Sequence, residues 1–239
     1  PGSISVIALR VPHHPPRWTY GILVVNGLAF LLSLVVGRNL VLLLGAKINQ
    51  AILLGEWWRL LTAVFLHVDI LHILFNSYAL YAFGTRLESL YSPWRYLALY
   101  TLSGISGSAL SFALSPRASV GASGAIFGLI GGLAAYYYRY RKQMRTGSRP
   151  LTNLVTIALY NLLYGFVVPG IDNWGHLGGL LAGLVMGWFF APAYRVVYLP
   201  ESSSLEVVDI GSWSRWWQGM ALVGAGIVLA CLGGLLRWR

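Results

Sequence analysis

Gly121-Ala122-Ser123-Gly124 opens an apolar run, Val120–Tyr138, and the reading of the whole chain turns on this stretch. The run is long enough to cross a hydrocarbon layer as a helix, which takes about 20 residues. At the start of such a helix the first backbone N–H groups have no partner, and the helix dipole is positive. A serine flanked by glycines at that point sits where an oxyanion is stabilised. Two other polar sets stand in comparable places. Gly175-His176 opens a later apolar run, and His72 and Asn76 lie on an earlier one. Together they point to a serine nucleophile working inside a membrane.

The composition agrees with that setting. Of 239 residues, 57% are hydrophobic and 10% are charged, against roughly 25% charged in soluble domains. Seven spans are predicted: Trp18–Val36, Asp69–Thr85, Tyr96–Leu114, Val120–Tyr138, Leu151–Val168, Gly175–Pro192 and Trp216–Leu236. The stretch Trp57–Phe83 is long for a single crossing. It divides at Asp69, a residue type that caps helix starts. Trp57–Leu66 then joins Leu40–Leu44 in a first loop rich in Trp and Leu, expected in the interface rather than in water. The expected fold class is all-α and polytopic. It comprises a tail (1–16), a core of six spans (17–192), a cytoplasmic linker (193–215) and a seventh helix with the C-terminus (216–239).

Arg139, Arg141, Lys142, Arg145 and Arg149 lie between spans four and five and mark that loop as cytoplasmic. The N-terminal segment, with Arg10 and Arg17, is then also cytoplasmic, and the C-terminus is outside. Basic residues flanking apolar runs account for the net charge of +10. Lipid headgroups, not nucleic acid, are the expected partner. The one cysteine, Cys231, excludes an intrachain disulfide and a cysteine-based metal site. Short termini without a visible targeting signal lead to the expectation of a bacterial inner membrane. In this orientation His72, Asn76, Ser123 and His176 all fall in the outer halves of their spans.

Span four carries Gly124, Gly128 and Gly132, and span six carries Gly179, Gly183 and Gly187. A four-residue ladder of glycines lets helix backbones approach closely in lipid. If the ladders face each other in register, Ser123 and His176 differ in depth by about 3 Å at 1.5 Å rise per residue. That is a route to a Ser–His hydrogen bond; helix packing alone is the plainer reading. His72 and Asn76 share one helix face. Their N–H groups suit a developing oxyanion, whereas the plainer reading is a structural bond between helices. His67, off that face, reads as a loop residue. Asp172 reads as a cap more readily than as a third catalytic group. No His-Glu-x-x-His motif is present and no carboxylate lies deep in a span, so no metal is expected.

These residues together resemble the rhomboid family of intramembrane serine proteases. The likeness covers roughly Trp18 to Pro192. It rests on Glu56-x-Trp58-Arg59, His72-Ile73-Leu74-Phe75-Asn76, Gly121-x-Ser123-Gly124 and Gly175-His176-x-x-Gly179-x-x-x-Gly183. The resemblance implies a six-helix core, here with one additional C-terminal helix. It implies Ser123 as nucleophile and His176 as general base, a dyad without an acid and without a cofactor. His72, Asn76 and the Ser123 N–H would form the oxyanion hole. Phe127 would pack on His176, at a place where some relatives carry tyrosine. Trp58 and Arg59 would shape the first loop, and Gly121, Gly124, Gly179 and Gly183 would support the site. The implied substrates are transmembrane segments of single-span proteins. A pseudoprotease that binds such helices without cutting is the alternative; the presence of both dyad residues argues against it. A transporter is disfavoured because no inverted repeat is visible and no charge lines a span interior.

Overall fold

The computed structural model describes residues 11–144, 146–199 and 204–239. Arg10 and Arg145 lie outside the described residues, as does most of the expected tail. The chain begins with α1 (Arg17–Val36), which breaks at Gly37, where φ is +106°. Three short helices follow in the first loop: α2 (Arg38–Gly45), α3 (Asn49–Leu53) and α4 (Arg59–Thr62). A 3-10 turn, Ala63–Phe65, completes that loop. Next come α5 (Ile70–Ala79), a π-turn (Leu80–Gly84) and α6 (Thr85–Tyr91), which read as one helix with a widened middle. The remaining helices are α7 (Pro93–Leu114), α8 (Ser123–Tyr140), α9 (Arg149–Val167), α10 (Asn173–Phe190) and α11 (Trp213–Trp238).

Every predicted span is helical, with ends within three residues of expectation except at the end of span two. That helix runs on past Thr85 to Tyr91, and Glu88 within this extension is fully buried. Its carboxylate accepts from Trp18 N (2.9 Å), Thr19 N (2.8 Å) and Thr19 Oγ1 (2.8 Å). It thereby satisfies orphan donors at the start of α1, where the helix dipole favours negative charge. The all-α expectation needs one correction. The linker contains an antiparallel hairpin of β1 (Tyr194–Leu199) and β2 (Ser204–Asp209). The β-branched and aromatic residues of Arg195-Val196-Val197-Tyr198 and Leu205-Glu206-Val207-Val208 carry that signal.

Among the described residues, α1, α7, α9 and α11 are long and apolar enough to cross a membrane on those grounds alone. Arg59–Phe65 with Ile70–Tyr91 forms a fifth, bent candidate, turned by 91°. The faces of these helices that look outward are apolar, as with Val24, Leu28 and Leu31 on α1. This is an integral multi-pass membrane protein. α8 and α10 are less apolar, with Tyr136, Tyr137, Tyr138, Arg139 and Tyr140 at the end of α8 and Asn173 and His176 at the start of α10. They are also the helices most enclosed by others.

The two glycine ladders face each other. A methyl placed on Gly179 would strike the carbonyl of Gly124, and one on Gly183 would strike that of Gly128. A methyl on Gly187 would lie 2.6 Å from Gly132 Cα. α7 joins this contact: a Cβ on Gly107 would lie 2.5 Å from Gly175 O, and one on Gly178 would lie 2.7 Å from Ser106 O. Three helices therefore meet nearly backbone to backbone. At the far end of the ladders the Tyr91 hydroxyl sits 2.9 Å from both Gly132 O and Gly187 O and binds the pair together.

α11 lies along α7 and α10, with Gly219 against Phe189 and Gly234 against the Phe112 ring. Trp238 Nε1 donates to Phe112 O at 2.5 Å. Arg95 fastens the hairpin: Nη1 meets Asp209 Oδ2 at 2.6 Å, and the guanidinium stacks 4.0 Å over the Trp216 ring. Burial raises the Asp209 pKa, but the Ala193 and Gly211 N–H groups and Arg95 outweigh it, leaving the carboxyl below its ordinary value.

The ladder contact predicts a sharp contrast between glycines. Gly179→Val would wedge α8 from α10 and lower stability by roughly 3 kcal/mol or more, about 6–12 °C in apparent Tm. Gly226→Ala on α11, where nothing lies within 4 Å, leaves Tm unchanged or slightly raised. Thermal unfolding in one detergent checks both; equal shifts would refute the contact's role.

Candidate active site

The site is assembled from helix starts. Asp69 Oδ1 accepts His72 N at 2.8 Å and so begins α5, which places His72 one turn before Asn76. Asp172 Oδ1 accepts Gly175 N at 3.0 Å, and its carbonyl accepts His176 N at 3.0 Å, which begins α10. Asp172 is thus a cap. Ser123 is the first residue of α8, so its N–H and those of the next residues have no acceptor within the helix.

The ladder register sets the relative depth of Ser123 and His176. Ser123 Oγ and His176 Nε2 are 2.9 Å apart. Phe127, one turn into α8, stacks flat on the imidazole, with ring centroids 4.4 Å apart and planes 14° off parallel. His176 is buried, and its Nδ1 has no protein partner among the described residues. The ring is therefore held by a stacking face and the helix backbone, not by a third side chain.

Gly121 precedes the serine with φ at +126°, a conformation that side-chain-bearing residues rarely take. A Cβ there would lie 2.6 Å from His72 Nε2 and 3.6 Å from Asn76 Nδ2. Glycine is required on both counts, and both side-chain nitrogens converge on the backbone beside Ser123. Gly121 N donates to Ala63 O at 2.9 Å, which anchors the turn to the first loop. These groups border a cavity of about 800 Å³ lined by residues of α2, α5, α8, α9 and the segment before α10. Its end at Ser123, His176, His72 and Asn76 is polar; away from them Ile126, Ile130, Ala79 and Phe83 make it apolar. A void of about 30 Å³ behind Ser123, bordered by Ser108, Ser119 and Asp172, has room for a water by volume.

Ser123, His176, His72, Asn76, Gly121 and Phe127 are brought together. Gly124, Gly179 and Gly183 lie at the helix contact just beneath. Trp58 and Arg59 stand apart from the pair. Arg59 is buried in the first loop, 2.5 Å from Glu56 Oε2 and donating to Ala46 O at 2.9 Å. Trp58 is exposed, with Nε1 3.4 Å from Leu44 O. His67 is buried with its ring 5.1 Å from that of His72. Sequence reasoning missed Asn161, which faces the cavity from α9 and donates to Ile157 O at 2.8 Å. An asparagine in an otherwise apolar run is the signal that marks it.

A serine hydroxyl within hydrogen-bonding reach of a buried imidazole is the arrangement for general-base activation. Donors converging beside it suit a tetrahedral oxyanion. Gly121→Ala would strain the backbone and displace His72. It is expected to slow labelling of Ser123 by a fluorophosphonate on the order of 10²-fold while the protein stays folded. Labelling at the unaltered rate would show that this turn does not set the site.

A family model described as the rhomboid domain matches residues 54–193. Rhomboid protease GluP of Bacillus subtilis (strain 168) is 43% identical over 228 residues, which is 93% of this chain and 40% of that protein. RHOMBOID-like protein 9, chloroplastic, of Arabidopsis thaliana is 36% identical over 72% of this chain and 40% of its own length. Rhomboid-like protease 1 of Toxoplasma gondii is 34% identical over 83% of this chain and 64% of its own length. The chain thus spans about two fifths of the first two relatives and under two thirds of the third.

Proposed function

The chain belongs to the rhomboid family, and from that premise we propose that it is an intramembrane serine endopeptidase cutting in or near transmembrane segments. The observation that carries this reading is the 2.9 Å contact between Ser123 Oγ and His176 Nε2 at the polar end of a large cavity. Relatives named as proteases support it.

In this reading all seven long helical stretches cross the bilayer, α8 and α10 included. Residues 17–192 form the catalytic core, 193–215 link it on the cytoplasmic side, and α11 is the added span. The N-terminus is cytoplasmic, the site opens outward, and the membrane is a bacterial inner membrane. The substrate is the transmembrane segment of a single-span protein. It enters past α9 and the segment Val167–Ile171, which act as the gate. Helical peptide bonds are shielded by their own backbone, so a stretch of small, helix-destabilising residues is the site of cutting.

His176 Nε2 takes the Ser123 proton as Oγ bonds to the substrate carbonyl carbon. The oxyanion accepts hydrogen bonds from the Ser123 N–H, Asn76 and His72. Collapse breaks the C–N bond, and the imidazolium returns its proton to the leaving amine. Water, activated by His176, then hydrolyses the acyl-enzyme. Phe127 holds the imidazole plane through these steps. It carries no hydroxyl, so no step uses one at that place.

Cleavage of a single-span substrate in liposomes tests the proposal. Ser123→Ala and His176→Ala are expected to lose activity by on the order of 10³-fold or more. Asn76→Ala should lose about 10²–10³-fold, the usual cost of one oxyanion donor. Cleavage persisting in Ser123→Ala would sink the mechanism. A wild type that neither cleaves nor takes up a serine-directed probe would turn the reading to a helix-binding pseudoprotease.

A further inference from the structure

Lys47 lies in the first loop between α2 and α3 and is 0% exposed. Burying an ammonium is costly unless its donors are matched. Here no carboxylate pairs with it among the described residues. Its Nζ instead meets three neutral acceptors: Arg117 O at 2.6 Å, Asn49 Oδ1 at 3.1 Å and Ser115 O at 3.3 Å. An ammonium has three N–H donors, so the count is filled.

The acceptors matter for where they lie. Ser115 and Arg117 belong to the segment between α7 and α8, which leads through Gly121 to Ser123. The same segment is bound to Lys47 through the main chain. Lys47 N donates to Ser119 O at 3.0 Å, and Ser119 N donates to Lys47 O at 3.1 Å. Asn49 Nδ2 adds a bond to Ser115 O at 2.9 Å. On the other side, Arg59 Nη1 holds Ala46 O, the neighbouring carbonyl. One continuous set of bonds therefore runs from Glu56 and Arg59 through Lys47 to the turn that presents the serine.

We propose that Lys47 is a positioning residue for the oxyanion hole, its ammonium fixing the 115–121 segment and with it the backbone of Gly121 and Ser123. This rests on the protease reading of the site. The charge is needed because a neutral amine would offer two N–H donors and turn a lone pair toward carbonyl oxygens. Burial lowers the Lys47 pKa to about 8, with the field of Asp172 opposing that shift. Asp172 stands at the start of α10. Glu56 is held by Arg59, and the Arg117 side chain is exposed. Lys47 is thus charged below about pH 8 and loses its proton as pH rises through that value. Activity should fall in the same window.

The test compares wild type, Lys47→Met and Asn49→Ala in detergent, from pH 6.5 to about 9.5. The readouts are substrate cleavage, fluorophosphonate labelling of Ser123 and amide hydrogen exchange over 115–124. Wild type is expected to show an alkaline limb near the Lys47 pKa. Lys47→Met should lose on the order of 10²-fold in kcat with KM little changed, label more slowly in proportion, and show no alkaline limb. Asn49→Ala removes one acceptor for the charged form, so its limb should move to lower pH. A structural role alone would not move that limb. Lys47→Met with wild-type rates, or with the same limb, would overturn the proposal. Should Lys47→Met fail to fold, an unmoved limb in Asn49→Ala overturns it equally. If wild type neither cleaves nor labels, the protease reading fails, and exchange over 115–121 in the variants still decides whether Lys47 fixes that segment.

Discussion

Two helices that touch through their backbones cannot slide. That constraint, between α8 and α10, fixes the rest of the site. Each carbonyl of one ladder sits where the other helix has no Cβ, so a shift by one residue would drive side chains into main chain. The register that results puts the first residue of α8 beside the first turn of α10. Ser123 and His176 meet because of contacts made below them. α7 adds a third backbone surface through Gly107, and the core is closed by geometry more than by apolar area. In lipid, where apolar side chains gain little from association, close packing of this kind is what holds helices together.

The polar groups that lipid disfavours are collected at loop ends and helix starts. Glu88 is tolerated because it ends the unpaired donors of α1. Asp69 and Asp172 do the same for α5 and α10. Lys47 and Arg59 point their charges at carbonyls that no helix satisfies. Glu88 and Lys47, both fully buried, each answer a defect in backbone hydrogen bonding and tie together segments far apart in the chain. Ser123 and His176 stand at helix starts, where unpaired N–H groups remain for a side chain or a bound group to use.

What the chain reveals on reading follows the range of the interaction. The ladders, the caps and the His72–Asn76 face are local patterns with four-residue spacing, and they are legible. The partners of Glu88 lie 69–70 residues away, so no local pattern shows that the helix continues past Thr85. Those of Lys47 on the 115–121 segment lie 68–70 residues away, so nothing local sets it apart from Arg38 and Arg59 in the first loop. The hairpin was hidden by its setting, since a short segment between two spans is naturally taken for a linker. Asn161 shows only as an anomaly within α9; what it faces depends on three other helices.

The packing is unequal around the core, and the inequality has a direction. α11 presses along α7 and α10, joined by Arg95 and Asp209 at one end and by Trp238 and Phe112 at the other. That flank is braced along its length. α9 is the opposite case: only Leu154 and Ala158 are buried along it, and Phe166 and Val167 are almost wholly exposed. The large cavity lies on the α9 side. A helix with few buried contacts is the one that opens at least cost. The flank packed against α11 is thus braced, and α9, on the cavity side, is the weakly held wall that the proposed entry route needs.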